Sequence, residues 1–189
     1  MSSGCRSRAL SVCLGLVALV TACSRRPNEA NGGTVTPSQN AVTMEEDRRK
    51  NEAAIRDLVD RLVKAVRAKD LDGVMSAYAP DLVAFDIVPP LQYVSAESYK
   101  KPWRAVFELY EKPLQYEVRD LSITASDDVA FSHSLNLLTG TMKNGRKTDL
   151  WLRFTACYRK IDGKWLIAHL QASVPVDMGT GKALLDLKP

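Results

Sequence analysis

The 189-residue chain is 46% hydrophobic and 25% charged, with 26 basic and 22 acidic residues and a formal net charge of +4. Charge so nearly balanced excludes the dense positive footprint of a nucleic-acid-binding protein. Residues 44–189 are the usual size for one domain with its own core.

Arg6 and Arg8 precede an apolar run from Ala9 to Val20, and small residues then lead into Cys23. That run is too short to span a bilayer as a permanent helix and has the layout of an export signal. Val20-Thr21-Ala22-Cys23 resembles the bacterial lipobox, which implies cleavage after residue 22 and lipidation of Cys23. An ordinary signal cleaved near Ala22, or an uncleaved anchor, is the alternative. Residues 24–42 are polar and small, so they read as a flexible tether with a reach of about 25 Å. The expected organisation is a signal over 1–22, a tether over 23–43 carrying lipidated Cys23, and a folded domain over 44–189. The expected location is the cell envelope, with the membrane met through the lipid anchor alone. The mature chain keeps 24 basic and 22 acidic residues, and Cys157 is left without a cysteine to pair with. Its place in an apolar strand pattern favours a small hydrophobe over a catalytic thiol.

Ile55, Leu58, Val59, Leu62, Val63 and Val66 recur at helical spacing and predict an amphipathic helix over roughly 44–68. Asp70 then caps a shorter helix with Leu71, Val74, Met75 and Tyr78 on one face, stopped by Ala79-Pro80. Residues 82–87 read as a strand ending before Pro89-Pro90. Trp103, Val106, Phe107 and Tyr110 mark a third helix, with Pro102 near its first turn. Four alternating runs follow, about 114–124, 128–141, 147–160 and 164–175. Short turns separate them, among them Asn144-Gly145 and Asp162-Gly163. Helices first and an antiparallel meander after them make an α+β fold.

This order, with Tyr78-Ala79-Pro80-Asp81 after the short helix and Asp162-Gly163-Lys164-Trp165-Leu166-Ile167-Ala168-His169 in the last hairpin, resembles the nuclear transport factor 2-like superfamily. Within it, the chain is similar to the SnoaL-like and ketosteroid-isomerase-like branch over residues 44–177. The last hairpin is also similar to the association domain of calmodulin-dependent kinase. The resemblance implies a cone-shaped barrel, with three N-terminal helices packed on a strongly curved antiparallel sheet and a pocket at the open end. It also implies a homodimer formed through the outer sheet. Members include isomerases, polyketide cyclases, dehydratases and proteins that only bind or assemble.

The last hairpin decides which side chains share a face. A two-residue turn at Asp162-Gly163 pairs Ile161 with Lys164 and sets His169 opposite Ala156. A bulged three-residue turn slips the pairing by one. Trp151, Arg153, Thr155 and Cys157 then join His169, Gln171 and Ser173, leaving Leu150, Leu152, Phe154, Leu166, Ala168 and Leu170 opposite. The bulged turn is favoured because it separates polar from apolar side chains. The polar face could line a pocket or an outer interface, and the family resemblance points to the pocket.

On that reading the ligand-binding candidates are Tyr78, Tyr93, Trp103, His133, Asn136, Trp151, Arg153, Gln171 and Ser173, with Asp86 and His169 as candidate catalytic groups. His169 is equally readable as a hydrogen-bonded structural histidine, His133 as an exposed strand residue and Arg153 as half of a surface ion pair. Asp86 is equally readable as a turn cap before two prolines. As a base it would act beside Tyr78 or Tyr93 as donor. Leu170 stands where relatives often carry a carboxylate, which weakens an acid/base scheme there. His133, His169 and Asp86 lack metal-motif spacing, so no metal is expected, and no cofactor motif is present. The expected function is capture of a small, partly apolar molecule, anionic if Arg153 faces it. The alternatives are a cofactor-free isomerase, cyclase or dehydratase using Asp86 or His169, and a dimerisation or assembly module without catalysis.

Overall fold

Helix α1, Gln39–Ala68, opens the computed structural model, which describes residues 39–189; the signal, Cys23 and the tether to residue 38 lie outside the described residues. The helix starts five residues before the predicted 44. Thr43 Oγ1 donates to the Gln39 carbonyl (3.0 Å), and Arg48 and Arg49 bind Glu45 one turn back. Its apolar stripe of Ile55, Leu58, Val59, Leu62 and Val66 is buried. Lys69 ends it in the left-handed region (φ 56°) and sends its Nζ to the carbonyls of Phe107 and Tyr110. Asp70 caps α2, Leu71–Met75, by accepting from the Gly73 N–H (3.0 Å).

Tyr78 is not helical. It begins β1, Tyr78–Phe85, where it pairs with Ile167. One short turn cannot propagate on its own, and a sheet partner for Tyr78 ends α2 at Met75. A two-residue strand β2, Tyr93–Val94, follows, and then helix α3, Ala96–Leu109. Ser95 caps α3 by accepting from the Ser98 N–H (3.1 Å), so Pro102 lies in the middle of the helix and not in its first turn.

The remaining strands are β3 (Gln115–Ala125), β4 (Val129–Thr141), β5 (Lys147–Ile161) and β6 (Lys164–Ser173). They form one curved sheet in the order β2-β1-β6-β5-β4-β3. β1 joins β6 in parallel and the other pairs are antiparallel. The sheet stays open, with β2 and β3 as edges, and does not close into a barrel. The helices cover one face. Ile55, Leu62 and Val66 from α1 share a core with Leu82, Ala156, Ile167 and Leu170.

The last hairpin differs from the favoured reading. Asp162 (φ 49°) and Gly163 (φ 76°) form a two-residue turn that pairs Ile161 with Lys164. Positive φ at both positions is the geometry whose twist matches paired strands. The extra residue enters further along, at Ala168, so that Tyr158 pairs with Ile167 but Cys157 pairs with His169. This late bulge puts His169, Gln171 and Ser173 beside Cys157, Thr155 and Arg153, as the bulged turn would have done. Leu166 instead pairs with exposed Arg159, and Trp165 and Ile167 turn into the core.

Candidate functional site

α3 lies over the covered face and leaves a cavity of about 170 Å³ beneath it. Trp103, Val106 and Leu109 form its helical wall, and Leu138, Leu150, Leu152, Phe154 and Ala172 form its sheet wall. Asp86, Ile87 and Val88 close one side. Alternation along β5 supplies Leu150, Leu152 and Phe154 to the same face, which is why the wall is apolar. Ile87, Val88 and Leu109 also reach solvent, so the mouth has an apolar rim.

Asp86 is the charged group in this wall. Its Oδ1 accepts from the Ile87 N–H (2.6 Å), and its Oδ2 accepts from the Tyr99 hydroxyl (2.7 Å). Turn capping and a place in the cavity wall are therefore both true of it. Tyr99 is 3% exposed, with Tyr78 and Tyr93 edge-on to it at 5.4 Å between ring centres. Burial, then Tyr78, then the Asp86 carboxylate hold the Tyr99 hydroxyl well above the usual tyrosine range, so it stays a donor. Tyr93 gives its own hydroxyl to the Pro89 carbonyl (2.7 Å) and braces the loop that carries Asp86.

Trp103 lines the cavity with its ring, while its Nε1 is shielded from solvent and turned toward the Tyr78 hydroxyl. The Trp103 indole N–H partly offsets the burial that raises the Tyr78 hydroxyl. Deeper in the cone, a polar chain crosses the core. Ser134 Oγ donates to Asn136 Oδ1 (2.8 Å), and Asn136 Nδ2 donates to the Tyr116 hydroxyl (2.7 Å). Ser132 and Tyr158 make a second pair (2.8 Å) around a void of about 20 Å³, which has room for about one water.

Tyr78, Asp86, Tyr99, Trp103 and Asn136 thus lie on the helix-covered side, whereas His133, Trp151, Arg153, His169, Gln171 and Ser173 do not. Those six stand on the opposite, outer face. Asn136 and Leu152 pair inside while Leu135 and Arg153 pair outside, and strand alternation fixes the rest. His133 and Arg153 line a shallow outer depression with Asp120 and Thr155. Trp151 lies under the Arg119 guanidinium (4.9 Å). His169 shares its Nδ1 with the Val83 carbonyl (2.8 Å) and packs edge-on to Phe85. A carbonyl only accepts, so Nδ1 carries the proton and the histidine ties β6 to β1. The polar group was correctly gathered on one face, but that face is outside the cone. Two imidazoles outside and a carboxylate inside make no common centre.

Tyr99, Tyr116 and the leucines of the cavity were not among the predicted site residues. Tyr99 lies four residues before Trp103, so the helical stripe already extended to it.

An open α+β cone with a small apolar cavity under its third helix defines the structural class. The chain belongs to the family of SnoaL-like domains, whose model matches residues 55–177. A nuclear transport factor 2-like protein of unknown function from Pseudomonas putida KT2440 is 35% identical over 75% of this chain and 98% of its own, with a TM-score of 0.68. A protein from Xanthomonas campestris, assigned as a calcium/calmodulin dependent protein kinase II association domain, is 28% identical over 63% of this chain and 84% of its own (TM-score 0.56). A hexachlorocyclohexane dehydrochlorinase shares the fold at 19% identity over 68% of this chain and 88% of its own (TM-score 0.61). Among curated proteins none matches the chain.

Proposed function

We propose that this SnoaL-like domain is held at the cell envelope by lipidated Cys23 and binds a small, neutral, largely apolar molecule under α3. The cavity carries the reading: leucine, phenylalanine and tryptophan walls around a single carboxylate. With Arg153 on the outer face, no lysine or arginine among the described residues lines that cavity, and Asp86 disfavours an anion. At about 170 Å³ it is below the range for drug-sized ligands, so a single ring is a better fit than a polycycle. The lipobox-like Val20-Thr21-Ala22-Cys23 supports the anchor.

Thermal-shift titration with acetophenone and benzoate tests the cavity. Acetophenone should raise the melting temperature, benzoate should not, and Leu152→Trp, which fills the void, should abolish the effect. Equal stabilisation by benzoate would sink the neutral-ligand reading. Cys23→Ser should move the protein out of the membrane fraction or block its processing.

The Asp86–Tyr99 pair supports a second reading, a cofactor-free proton transfer beside a carbonyl with Asp86 as base. Asp86→Asn would then remove turnover while leaving ligand affinity within a few-fold, whereas a pure binding site would show no turnover to lose. The outer face, with Phe85 and Phe131 exposed, supports a homodimer. A mass corresponding to one chain at micromolar concentration would rule that out.

A further inference from the structure

Single exposed apolar side chains are ordinary on a protein surface, but an unbroken run of them is not. Ile87-Val88-Pro89-Pro90-Leu91, the loop after β1, is such a run: every residue is exposed, and Leu91 at 94% is almost wholly in solvent. Ile87 and Val88 also border the cavity, so the run lies at its mouth. Its backbone is poor in free polar groups. The two prolines bring no N–H, the Ile87 N–H is taken by the Asp86 carboxylate (2.6 Å), and the Pro89 carbonyl accepts from the Tyr93 hydroxyl (2.7 Å). Such a loop can leave water for an apolar phase with few hydrogen bonds lost. A protein partner would ask for hydrogen bonds, at about one per 100–200 Å² of interface.

The rim is basic where it meets the end of α3. The carbonyl of Leu109, exposed on that rim, accepts from the Lys143 N–H (2.9 Å), which brings the β4–β5 turn to the mouth. That turn, Lys143-Asn144-Gly145-Arg146-Lys147, holds three exposed cations and no acid. None of the three has an ion-pair partner among the described residues. Lys112, Lys143 and Glu111 all act on the Lys69 amine, so the cluster is compact, and with Glu108 and Glu111 counted it stays net positive. Asp149, just beyond the turn, is already engaged by Lys188. An apolar loop beside unpaired cations complements a lipid surface, the loop matching acyl chains and the cations anionic headgroups. We propose that the mouth end of this domain docks on an anionic lipid surface, with residues 87–91 inserted and the turn 143–147 on the headgroups. This contact is separate from any anchor at Cys23, and it stands on the surface alone, without the cavity reading. Where the cavity is a ligand site, docking lets an apolar molecule pass from lipid to cavity without crossing water.

The test introduces a tryptophan by Leu91→Trp in the full chain and reads its added emission in vesicles carrying brominated acyl chains. Val129→Trp is the control, because Val129 is exposed and starts β4 at the end away from the basic turn. In brominated phosphatidylcholine with added phosphatidylglycerol, emission from position 91 should shift to shorter wavelength and be quenched, while that from position 129 stays unquenched. Without phosphatidylglycerol the quenching at 91 should be lost. Lys143→Glu, Arg146→Glu and Lys147→Glu together should abolish it too, since each basic side chain at an anionic surface is worth about fivefold in binding. Residues 1–38 are common to all these proteins, so an anchor there cannot produce the differences. Quenching at 91 no greater than at 129, or equal with and without phosphatidylglycerol, would overturn the proposal. So would a shift at 91 that needs no lipid and grows with protein concentration, because a second copy would then cover the loop. If the triple variant does not fold, the phosphatidylglycerol dependence at position 91 decides alone.

Discussion

The two faces of the sheet are built from the same six strands and differ in almost everything else. On the covered face, Leu138, Ala156, Ile167 and Leu170 are buried under α1 and α3, and the few polar groups there are hydrogen-bonded to one another. On the outer face, Arg153, His133 and Gln171 are exposed. Chemical variety is greatest on the face that encloses nothing. A row of histidine, arginine, tryptophan and glutamine is therefore poor evidence for a pocket, and a cone can enclose its cavity with leucines.

The largest effects should come from the covered face. Leu170 is fully buried, and Leu170→Ala should cost about 2–5 kcal/mol by lost burial and the cavity left behind. Urea unfolding measures it, and a change below about 1 kcal/mol would mean that the covered face is loosely packed. Alkaline pH should act next. Burial pushes the Tyr158 hydroxyl up to about 12, against the opposing bond from Ser132. Tyr78, Tyr99 and Tyr116 are raised as well, each chiefly by burial. A phenol that holds its proton more tightly when folded contributes stability that is fully present below pH 10. That stability is lost as the pH rises through 12, and for Tyr158 it is worth roughly 3 kcal/mol. Tyrosinate absorbance should then appear together with loss of the fold. Early, gradual ionisation of all six tyrosines would place these rings in water.

Asn136→Ala tests the polar chain inside the same face. It leaves the hydroxyls of Ser134 and Tyr116 without their amide partner, at a cost of about 1–3 kcal/mol. Gln171→Ala on the outer face is the matched control and should leave the unfolding midpoint almost unchanged.

Much of this architecture was legible in the residues. Period-two alternation located β3 to β6 to within a few residues, and the apolar stripe located α1. Partition into two faces was legible for the same reason. Which face is covered was not, because alternation states only that Arg153 and Thr155 point the same way. The covering helix chooses the side, through contacts such as that of Trp103 with the wall formed by Leu138 and Leu152, residues far from it in the sequence. Tyr78 was misplaced because Leu71, Val74, Met75 and Tyr78 satisfy a helical period, while its pairing with Ile167 is invisible locally. The position of the bulge was hidden as well. Nothing in Ala168-His169 marks an extra residue, although its effect on the faces matched that of the bulged turn.

The smallest expected effect is also the most direct test of which face does the work. Arg153 is exposed and has no ion-pair partner among the described residues, so Arg153→Ala should shift stability by no more than about 0.5 kcal/mol. It should leave acetophenone affinity unchanged, since the guanidinium and the cavity lie on opposite sides of β5. His169→Ala should cost somewhat more, about 1 kcal/mol, because it removes the bond to Val83 and the packing on Phe85. Ligand affinity should again hold. If Arg153→Ala weakened a neutral ligand tenfold while Leu152→Trp did not, the binding surface would lie on the outer face. The polar row would then be the site, and the cavity under α3 an accident of packing. Stability cannot separate these outcomes, because a functional surface and an idle one tolerate truncation equally well. Affinity measured on the two variants side by side can.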